Sequence, residues 1–482
     1  MNSYDVAIIG AGAAGASIAR ELSRYKLNIA VLEKEAECGF GVSKSNSGII
    51  HPGTQNPPNS LKGRLCVQGN ILTRSIAKEL GVDFQEAGEL IVIFDERDLP
   101  RLLELKREAE ALAVPELRIV DRGWLKENEP NLSPQARLAL YAPTAGIISP
   151  YRLVYALCEN AVRNGVEIHT QAKVENIISL SPARELNARF EIVTLKGTFR
   201  ASYVINAAGL YADDLSRMAG IDDFTIRPRK GEEFILDKKK QNLTRHLLFP
   251  LPSKTSKGIL VIRTADGNPM VGPTAEDAKD KDDLSTSDEG LKKVFSSVKR
   301  LVPAIDEADI IAYFAGLRPV AGEDFIIRYE DKAPGFINVA GIQSPGLTAA
   351  PAIARMVCAM LKKNGLNLRK KIIFHSKRKK PIHLFNIPLS KTQRFIRKDA
   401  SFGDIVCRCE LVSAREVSDA IAGGARTLDG IKFRTRAQGG RCHGTFCTTR
   451  LMKILSQETN TPLTAVSKRG LGSEIVKEER TP

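Results

Sequence analysis

Three glycines near the start of this 482-residue chain have the spacing of a nucleotide-binding turn. Gly10, Gly12 and Gly15 form G-x-G-x-x-G directly after an apolar, strand-like run at residues 4–9. In such a turn the first glycine permits a tight bend, the second admits a diphosphate, and the third lets a helix pack on the strand. Glu33 ends the next apolar run, where a carboxylate would bind ribose hydroxyls. The segment predicts a dinucleotide site with the diphosphate at a helix N-terminus.

Four cysteines near the other end form two close pairs. Cys407 and Cys409 are separated by one residue, and Cys442 and Cys447 by four. Four thiolates can bind zinc or a 2Fe–2S cluster, and the Cys-x-Cys spacing, which is less common in zinc sites, favours the cluster. A metal-free reduced module is a further alternative, and His443 is not expected to be a ligand. The remaining cysteines are expected to be small buried apolar residues: Cys38, Cys66, Cys158 and Cys358.

Two further residues could act on a substrate. His51 lies in the apolar run IIHPG, and Arg318 follows a strand-like run in AGLRPV. A lone histidine is more often structural than catalytic. The arginine is either part of a structural ion pair or a receptor for an anion, because its planar fork suits a carboxylate or a phosphate. The segment RKGEE at 229–233 could add charge to such a pocket or form a surface turn.

The elements around these residues predict an α/β protein. Strand-like runs that end in small residues recur at 201–209 and 335–348, far from the first. This favours a Rossmann-type FAD-binding domain assembled from discontinuous segments over a single continuous NAD domain. An α+β substrate domain and a small, α-rich iron–sulfur domain at the C-terminus complete the prediction. The domain limits are 1–60, 145–225 and 330–368 for FAD; 61–144 and 226–329 for the substrate; 369–402 for a basic linker; and 403–482 for the 2Fe–2S module.

The motifs also resemble those of a known family, the FAD-dependent enzymes typified by D-amino-acid oxidase, sarcosine oxidase and glycerol-3-phosphate dehydrogenase. The resemblance spans residues 4 to about 365 and rests on GAGAAG with Glu33, SKSNSGIIHPG (43–53), INAAGLYAD (205–213) and GIQSPGLTAAPAIA (341–354). It implies that the glycine turn, with Ala14, contacts the diphosphate and that a late helix points its N-terminus at the flavin. The other cofactor contacts that it implies are Ser45, Asn46, Ser47, Val174, Ala208, Gly209, Gly346, Leu347 and Thr348.

The cysteine-rich tail resembles a second family, the bacterioferritin-associated-ferredoxin type of 2Fe–2S domain, through IVCRCELVSAREVSDAI and GGRCHGTFC. The combined motifs are similar to those of glycerol-3-phosphate dehydrogenases with such a tail. This resemblance implies that Arg318 binds the phosphate of glycerol 3-phosphate and that His51 takes the C2 hydroxyl proton while a hydride passes to the flavin. Electrons would leave through the cluster or to a partner redox subunit, either an NADH oxidase-like flavoprotein or a ferredoxin-like protein.

Several alternatives to this function remain open. An L-2-hydroxyglutarate dehydrogenase has nearly the same histidine loop, and an opine or amino-acid oxidase belongs to the same class. A non-catalytic electron-transfer subunit is the alternative from another class. His51 and Arg318 argue against it, because an empty pocket need not keep a proton acceptor and an anion receptor.

The charge distribution bears on partners and location. The net charge is +15, and residues 369–398 contain eleven Lys or Arg and no Asp or Glu. A basic excess can attract nucleic acid, anionic lipid, an acidic protein or an anionic substrate. No nucleic-acid-binding signature is present, so we expect a solvated linker. We also expect no transmembrane segment, because no apolar run is long enough, and the sequence leaves peripheral membrane contact open. We expect a cytoplasmic location, since no export leader is evident.

Overall fold

The computed structural model describes residues 2–180, 188–253 and 257–478, and the parts of the predicted domains outside these ranges are not described. The α-helices are α1 (Ala13–Leu22), α2 (Leu61–Leu80), α3 (Leu99–Ala111), α4 (Arg122–Asn128), α5 (Pro150–Arg163), α6 (Ala212–Met218), α7 (Asp288–Leu301), α8 (Gly346–Lys363), α9 (Leu389–Lys398), α10 (Ala414–Ala422), α11 (Leu428–Thr435) and α12 (Thr448–Thr459).

The strands follow the same chain-order numbering. They are β1 (Asn2–Ile9), β2 (Ile29–Leu32), β3 (Ile49–Ile50), β4 (Phe84–Glu86), β5 (Glu89–Ile93), β6 (Arg118–Val120), β7 (Leu138–Ala142), β8 (Gly146–Ile148), β9 (Val166–His169), β10 (Val174–Ser179), β11 (Phe190–Thr194), β12 (Gly197–Asn206), β13 (Arg227–Leu236), β14 (Leu247–Pro250), β15 (Leu260–Arg263), β16 (Pro269–Gly272), β17 (Glu276–Asp277), β18 (Ile310–Val320), β19 (Ile326–Tyr329), β20 (Phe336–Ala340), β21 (Ile405–Cys407) and β22 (Val412–Ser413).

The first sheet is built from segments that are far apart in the chain. Its order is β10-β11-β12-β1-β2-β9, and β20 pairs with β12 and with β19. β1 runs parallel to both β2 and β12, and β20 runs parallel to the last residues of β12. The carboxyl ends of these strands therefore meet at one edge of the sheet, where α/β proteins bind their ligands. The predicted discontinuous Rossmann-type domain is confirmed by this arrangement.

Helices α1, α2, α5 and α8 pack in one layer beside this sheet. The apolar face of α1 contributes Ile18 and Leu22 to a core that also contains Ile353 and Val357 of α8. Leu65 of α2 joins the same core. Because α8 is fixed between α1 and α2, the position of its N-terminus at the sheet edge is set by packing.

The second sheet has the order β17-β13-β16-β15-β14-β5-β7-β6, with β18 paired along β13. Helix α7 covers this sheet, and its apolar side packs Val294 and Phe295 against Phe234. The pairing of β13 with β18 places Arg229 opposite Arg318. The strand-rich region predicted to cover the substrate is thus an α+β layer that brings Arg318 toward the first sheet.

The basic segment after α8 is attached to the body before it reaches the C-terminal module. Lys26 N donates to Arg369 O at 2.8 Å, and Arg378 N donates to Glu79 O at 3.0 Å. The segment then forms α9, a helix that the sequence pattern did not indicate because its periodicity extends over only ten residues. The C-terminal module follows with the hairpin β21–β22 and helices α10, α11 and α12 around a core of its own. α11 was also not predicted.

Among the residues that the structure describes, no helix is long and apolar enough to cross a membrane.

Candidate functional site

A cavity of about 2100 Å³ opens at the carboxyl edge of the first sheet and extends under β13 and β18. It brings together the predicted cofactor and substrate residues Gly10, Gly12, Ala14, Glu33, Ser45, Asn46, Ser47, His51, Val174, Ala208, Gly209, Arg318, Gly346 and Leu347. The two other predicted residues lie behind the wall. Gly15 packs on the carbonyl of Gly10, and the buried Thr348 accepts a hydrogen bond from His51 N at 3.0 Å.

The glycine turn has the shape that a diphosphate requires. Gly10 has a φ of +103°, and a Cβ there would lie 2.4 Å from the carbonyl oxygen of Ala207. A Cβ on Gly15 would lie 1.9 Å from the carbonyl oxygen of Gly10, so both positions exclude a side chain. Gly12 instead faces the cavity and, as the N-cap residue of α1, has no side chain to cap the helix. Ala13 N donates to Ser43 Oγ at 2.8 Å. The first turn of α1 thus presents backbone N–H groups to an anion.

Glu33 is fixed at the end of β2. Its Oε2 accepts a hydrogen bond from Ala11 N at 2.7 Å, and its Oε1 accepts one from Glu35 N at 2.9 Å. Burial raises the pKa of Glu33, although both backbone hydrogen bonds oppose the shift. Each carboxylate oxygen can accept a second hydrogen bond, so the geometry fits a carboxylate that receives ribose hydroxyls.

The loop after β2 uses several of its polar side chains to hold its own shape. Asn46 donates to Ser43 O at 2.8 Å and accepts from Gly48 N at 3.0 Å. Ser47 donates to Glu233 Oε1 at 2.8 Å. Asn46 and Ser47 therefore line the cavity with side chains that are already bonded to the protein, and the predicted cofactor contacts of this loop stay a proposal.

His51 lies in the substrate part of the cavity. Its Nε2 is 3.4 Å from Ser344 Oγ, and its Nδ1 is 3.8 Å from Glu89 Oε2. Burial, followed by the charge of Lys257, lowers the pKa of His51 to about 4. The imidazole is therefore neutral near pH 7, and a neutral imidazole can accept a proton.

Glu89 and Lys257 complete this corner, and the sequence patterns gave no signal for either. The Glu89 carboxyl is 0% exposed, and its Oε1 accepts a hydrogen bond from Thr54 Oγ1. Its Oε2 has no hydrogen-bond partner among the described residues, so this oxygen is available to the Nδ1–H of His51. Lys257 lines the cavity, and burial lowers the pKa of its ammonium group. The corner thus holds a proton acceptor, a carboxylate behind it and a cation.

Arg318 supplies a second cation in the same cavity. Its Nη1 and Nη2 each donate to Thr274 O at 3.3 Å, and among the described residues the guanidinium forms no salt bridge within 4 Å. A Cβ on Gly231 would lie 2.6 Å from Nη2, so this glycine makes room for the arginine. Burial lowers the pKa of Arg318, while the charge of Glu233 opposes the shift. The guanidinium is available to an anionic ligand.

The RKGEE segment is part of the buried strand β13, and the surface-turn alternative is wrong. Gly231 and Glu233 are buried beside Arg318 and Ser47. Burial raises the pKa of Glu233 to about 7 against the opposing effects of Ser47 and Arg318. A glycine between two charged pairs in the sequence did not show that this segment is a strand of the second sheet whose Glu233 contacts Ser47.

The four cysteines of the C-terminal module come together as two pairs. Cys409 Sγ and Cys442 Sγ lie 3.5 Å apart, and Cys407 is hydrogen-bonded to Cys447. Cys407 and Cys447 are buried, whereas Cys409 is exposed. Among the described residues, no three His, Cys, Asp or Glu side chains converge on one ion position. Two pairs of thiols fit two irons, each with two thiolates, better than a single tetrahedral zinc.

Backbone N–H groups surround these sulfurs. The Cys407 sulfur is hydrogen-bonded by the backbone of Cys409, Glu410 and Gln438, and the Cys442 sulfur by that of Gly444 and Phe446. The hydrogen bond from the Cys447 thiol is the largest cause that lowers the pKa of Cys407, to about 6. Such N–H groups stabilise thiolates and, in iron–sulfur proteins, tune the cluster.

The C-terminal module is fixed to the body by a buried ion pair. Glu37, which is 2% exposed, accepts from Arg434 Nη1 at 2.9 Å and from Arg426 N at 2.7 Å. Phe433 stacks edge-on against Phe40 with ring centroids 5.8 Å apart. Phe40 also lines the cavity. The module therefore docks directly behind one wall of the cofactor cavity, a contact between residues almost 400 positions apart that sequence patterns could not indicate.

The chain belongs to the FAD dependent oxidoreductase family, whose model matches residues 5–360. Residues 405–457 match the BFD-like [2Fe-2S] binding domain. Both cofactor predictions, FAD and a 2Fe–2S cluster, are confirmed by these matches together with the glycine turn and the paired cysteines, and the chain is an FAD-dependent oxidoreductase.

Individual relatives are similar over most of the chain. This chain is 41% identical over 476 residues to the glycerol 3-phosphate dehydrogenase of Caloramator mitchellensis, and the match covers 98% of each chain. It is 32% identical to the glycerol 3-phosphate oxidase of Mycoplasma genitalium, covering 77% of this chain and 97% of that one. A solved structure of dithionite-reduced L-α-glycerophosphate oxidase from Mycoplasma pneumoniae with FAD bound superposes with a TM-score of 0.75 at 30% identity, covering 80% of this chain and 100% of that one.

The glycine turn gives a test of the FAD site. We expect Gly12→Val to prevent FAD binding without unfolding the protein. The backbone φ of Gly12 is −76°, and within the described part of the chain the nearest atom to an added Cβ, apart from its sequence neighbours, is Ser43 Oγ at 3.0 Å. The valine would instead occupy the space of the diphosphate. Flavin content after gel filtration measures the loss. Gly123→Val is the control, because it makes the same change at an exposed position of α4. Full FAD occupancy in Gly12→Val would contradict the assignment of this turn.

Proposed function

We propose that the chain oxidises glycerol 3-phosphate to dihydroxyacetone phosphate. The observation that carries this proposal is one cavity that is lined by the neutral imidazole of His51 and by two cations, Lys257 and Arg318, that can bind a dianionic phosphate. The names of the relatives support the same substrate. An alcohol with a phosphate at one end needs a proton acceptor and an anion receptor in a single pocket.

The roles of the residues follow from the reaction. Arg318, with its planar fork, binds the phosphate, and Lys257 adds a second positive charge. His51 accepts the C2 hydroxyl proton at Nε2, where Ser344 Oγ lies 3.4 Å away and helps to place the hydroxyl. Glu89 then stabilises the positive charge on the imidazole through Nδ1. FAD, which the glycine turn and Glu33 would hold, would supply the hydride acceptor. Loss of a hydride from C2 and of the hydroxyl proton to His51 converts the C2 alcohol to a ketone.

The helix α8 has a supporting role in this proposal. Its first residues, Gly346 and Leu347, line the cavity, and it begins without a side-chain cap. The positive end of a helix dipole favours negative charge on a group placed there. The N-terminus of α8 would thereby stabilise negative charge on a group bound at this side of the cavity.

We further propose that the 2Fe–2S cluster delivers electrons one at a time to a partner redox subunit. The exposed Cys409 supports this, because it places one edge of the cluster site at the protein surface. The partner would be an NADH oxidase-like flavoprotein or a ferredoxin-like protein. The cytoplasmic location and the domain limits remain predictions of the sequence.

The anion receptor gives the first test of substrate binding. We expect Arg318→Met to raise the Kd for glycerol 3-phosphate by a factor of about 30 or more, because the loss of a buried charge pair costs about 2–5 kcal/mol. FAD content should be unchanged. Rapid-mixing reduction at a series of substrate concentrations measures the Kd. Arg328→Met is the control. Arg328 lies on β19, forms salt bridges with Asp223 and Glu330, and does not line the cavity. An unchanged Kd in Arg318→Met would make Arg318 a structural residue.

A further inference from the structure

The segment that joins the two cofactor-binding regions carries a surface with no assigned role. It lies between the two family matches, which end at residue 360 and begin at residue 405. Within it, the short turn Leu384–Asn386 leads into α9. None of the side chains of α9 is buried, which is unusual for a helix in a globular protein.

The apolar residues of α9 lie on one side. At 100° per residue, Leu389 and Ile396 fall within about 20° of each other on the helix circumference. Leu389 is 77% exposed and Ile396 is 37% exposed, and Phe385, just before the helix, is 52% exposed. Phe395 packs on Phe402 with ring centroids 5.4 Å apart and fixes the helix to the module behind it. Ile396 also contacts the segment after the helix, because a Cβ on Gly403 would lie 3.2 Å from Ile396 Cγ2. Leu389 and Phe385 are therefore the apolar side chains that point away from the protein.

The opposite side of α9 is positively charged. Lys391, Arg394 and Lys398 occupy it, and Arg397 lies between this side and the apolar one. No Asp or Glu occurs between residues 369 and 398. Within the described part of the chain, none of these four cations forms a salt bridge within 4 Å. By contrast, Arg378 and Lys380, earlier in the same segment, pair with Glu159 and Asp83. The four cations of α9 are thus available to an anionic group outside the chain.

We propose that α9 and Phe385 form a docking surface for an anionic lipid bilayer. The apolar side chains would enter the boundary between headgroups and acyl chains, and the cations would contact the lipid phosphates. An acidic protein could also pair with the cations. The apolar stripe opposite the cations is, however, the arrangement of a helix that lies in a membrane interface. This proposal does not depend on the substrate of the enzyme.

Vesicle binding of the full-length holoenzyme tests the proposal. We expect sedimentation with vesicles of phosphatidylcholine and phosphatidylglycerol to exceed that with phosphatidylcholine alone by about tenfold or more, since each cation near an anionic surface contributes to binding. Binding should weaken in about 1 M salt, where the Debye length is about 3 Å. The double variant Phe385→Ser/Leu389→Ser should lose most of the binding, because these two apolar side chains are the most exposed of the surface. Leu195→Ser is the control, because Leu195 is 64% exposed and lies outside this segment.

The results separate this proposal from the proposed function. The double variant should retain wild-type flavin reduction by glycerol 3-phosphate in solution, because α9 does not line the cavity. Failure of the wild type to bind anionic vesicles would overturn the proposal, as would equal loss in Leu195→Ser. If the double variant instead binds vesicles normally but loses salt-sensitive association with an acidic redox protein, the surface docks a protein and the lipid assignment is wrong.

Discussion

The His51→Ala variant is expected to reduce its flavin with glycerol 3-phosphate about 100 times more slowly than the wild type, or slower still, because a positioned general base contributes about 10²- to 10⁴-fold. His51 is the neutral proton acceptor of the cavity, with Ser344 Oγ 3.4 Å from Nε2 and Glu89 behind Nδ1. Without it, the hydroxyl proton has no acceptor at this position. Anaerobic rapid mixing at saturating substrate measures the limiting rate.

The chain offers a matched control for this variant. His246 also contacts a buried carboxylate, with Nδ1 2.8 Å from Glu129 Oε1, but it does not line the cavity. His246→Ala should leave the limiting rate within about twofold of the wild type, since it removes no group that touches the substrate. If His51→Ala changes only the Kd for the substrate, His51 positions the substrate and is not the base.

The pH dependence provides a second readout on the same residue. Burial and the charge of Lys257 lower the pKa of His51 to about 4. Above this pH the imidazole is neutral and accepts the proton; below it the imidazole is protonated and cannot. Between neutral pH and about pH 5, protonation of His51 should therefore not affect the reduction rate of the wild type. The rate should fall through protonation of His51 only as the pH approaches 4. An acid limb near pH 6.5 that is present in the wild type and absent from His51→Ala would show that His51 has the pKa of an exposed imidazole. A limb near pH 7 that persists in His51→Ala would belong to Glu233, whose pKa burial raises to about 7.

The Cys409→Ser variant is expected to lose the 2Fe–2S cluster and, with it, nearly all electron delivery to a one-electron acceptor. Cys409 forms one of the two thiol pairs, with its sulfur 3.5 Å from that of Cys442. Its loss would leave three thiolates to hold a cluster that needs four. Flavin reduction by substrate should remain within about twofold of the wild type, because the cysteines do not line the cavity. Iron and acid-labile sulfide analysis, together with steady-state transfer to a ferredoxin-type acceptor, measures both effects.

Cys38→Ser is the control for this variant, since Cys38 lies outside the cluster module and does not line the cavity. It should retain two irons and two labile sulfides per chain, the content of one 2Fe–2S cluster. Stoichiometric zinc without labile sulfide in protein purified without air would contradict the cluster assignment. Normal electron transfer by cluster-free Cys409→Ser would instead show that electrons leave the flavin directly.

The sequence was informative where a function depends on local chain geometry. The glycine turn is specified by three residues within six positions, because the bend, the diphosphate and the helix contact each exclude a side chain. The two thiol pairs are equally local. His51 and Arg318 could be proposed only because their flanking motifs resemble those of a family. Their placement in one cavity depends on the pairing of β13 with β18, which no local pattern specifies.

The missed residues act through contacts between distant segments. Glu89 begins β5, and Lys257 follows β14, so neither is near His51 in the chain. Glu37 binds Arg434 across the interface between the body and the module. A single acidic or basic residue in a strand or loop has no periodicity, so its partner is apparent only once the chain is folded.

The central claim is that this flavoenzyme oxidises glycerol 3-phosphate, and anaerobic bleaching of the bound flavin tests it most directly. The purified holoenzyme would be titrated with glycerol 3-phosphate, L-2-hydroxyglutarate, proline and D-amino acids, and the flavin absorbance followed. The account predicts complete and rapid bleaching by glycerol 3-phosphate, with rates for the other compounds lower by about 100-fold or more, since the cavity pairs two cations with one proton acceptor. Bleaching by L-2-hydroxyglutarate or an amino acid in preference to glycerol 3-phosphate would contradict it, and bleaching by none of them would indicate a non-catalytic electron-transfer subunit.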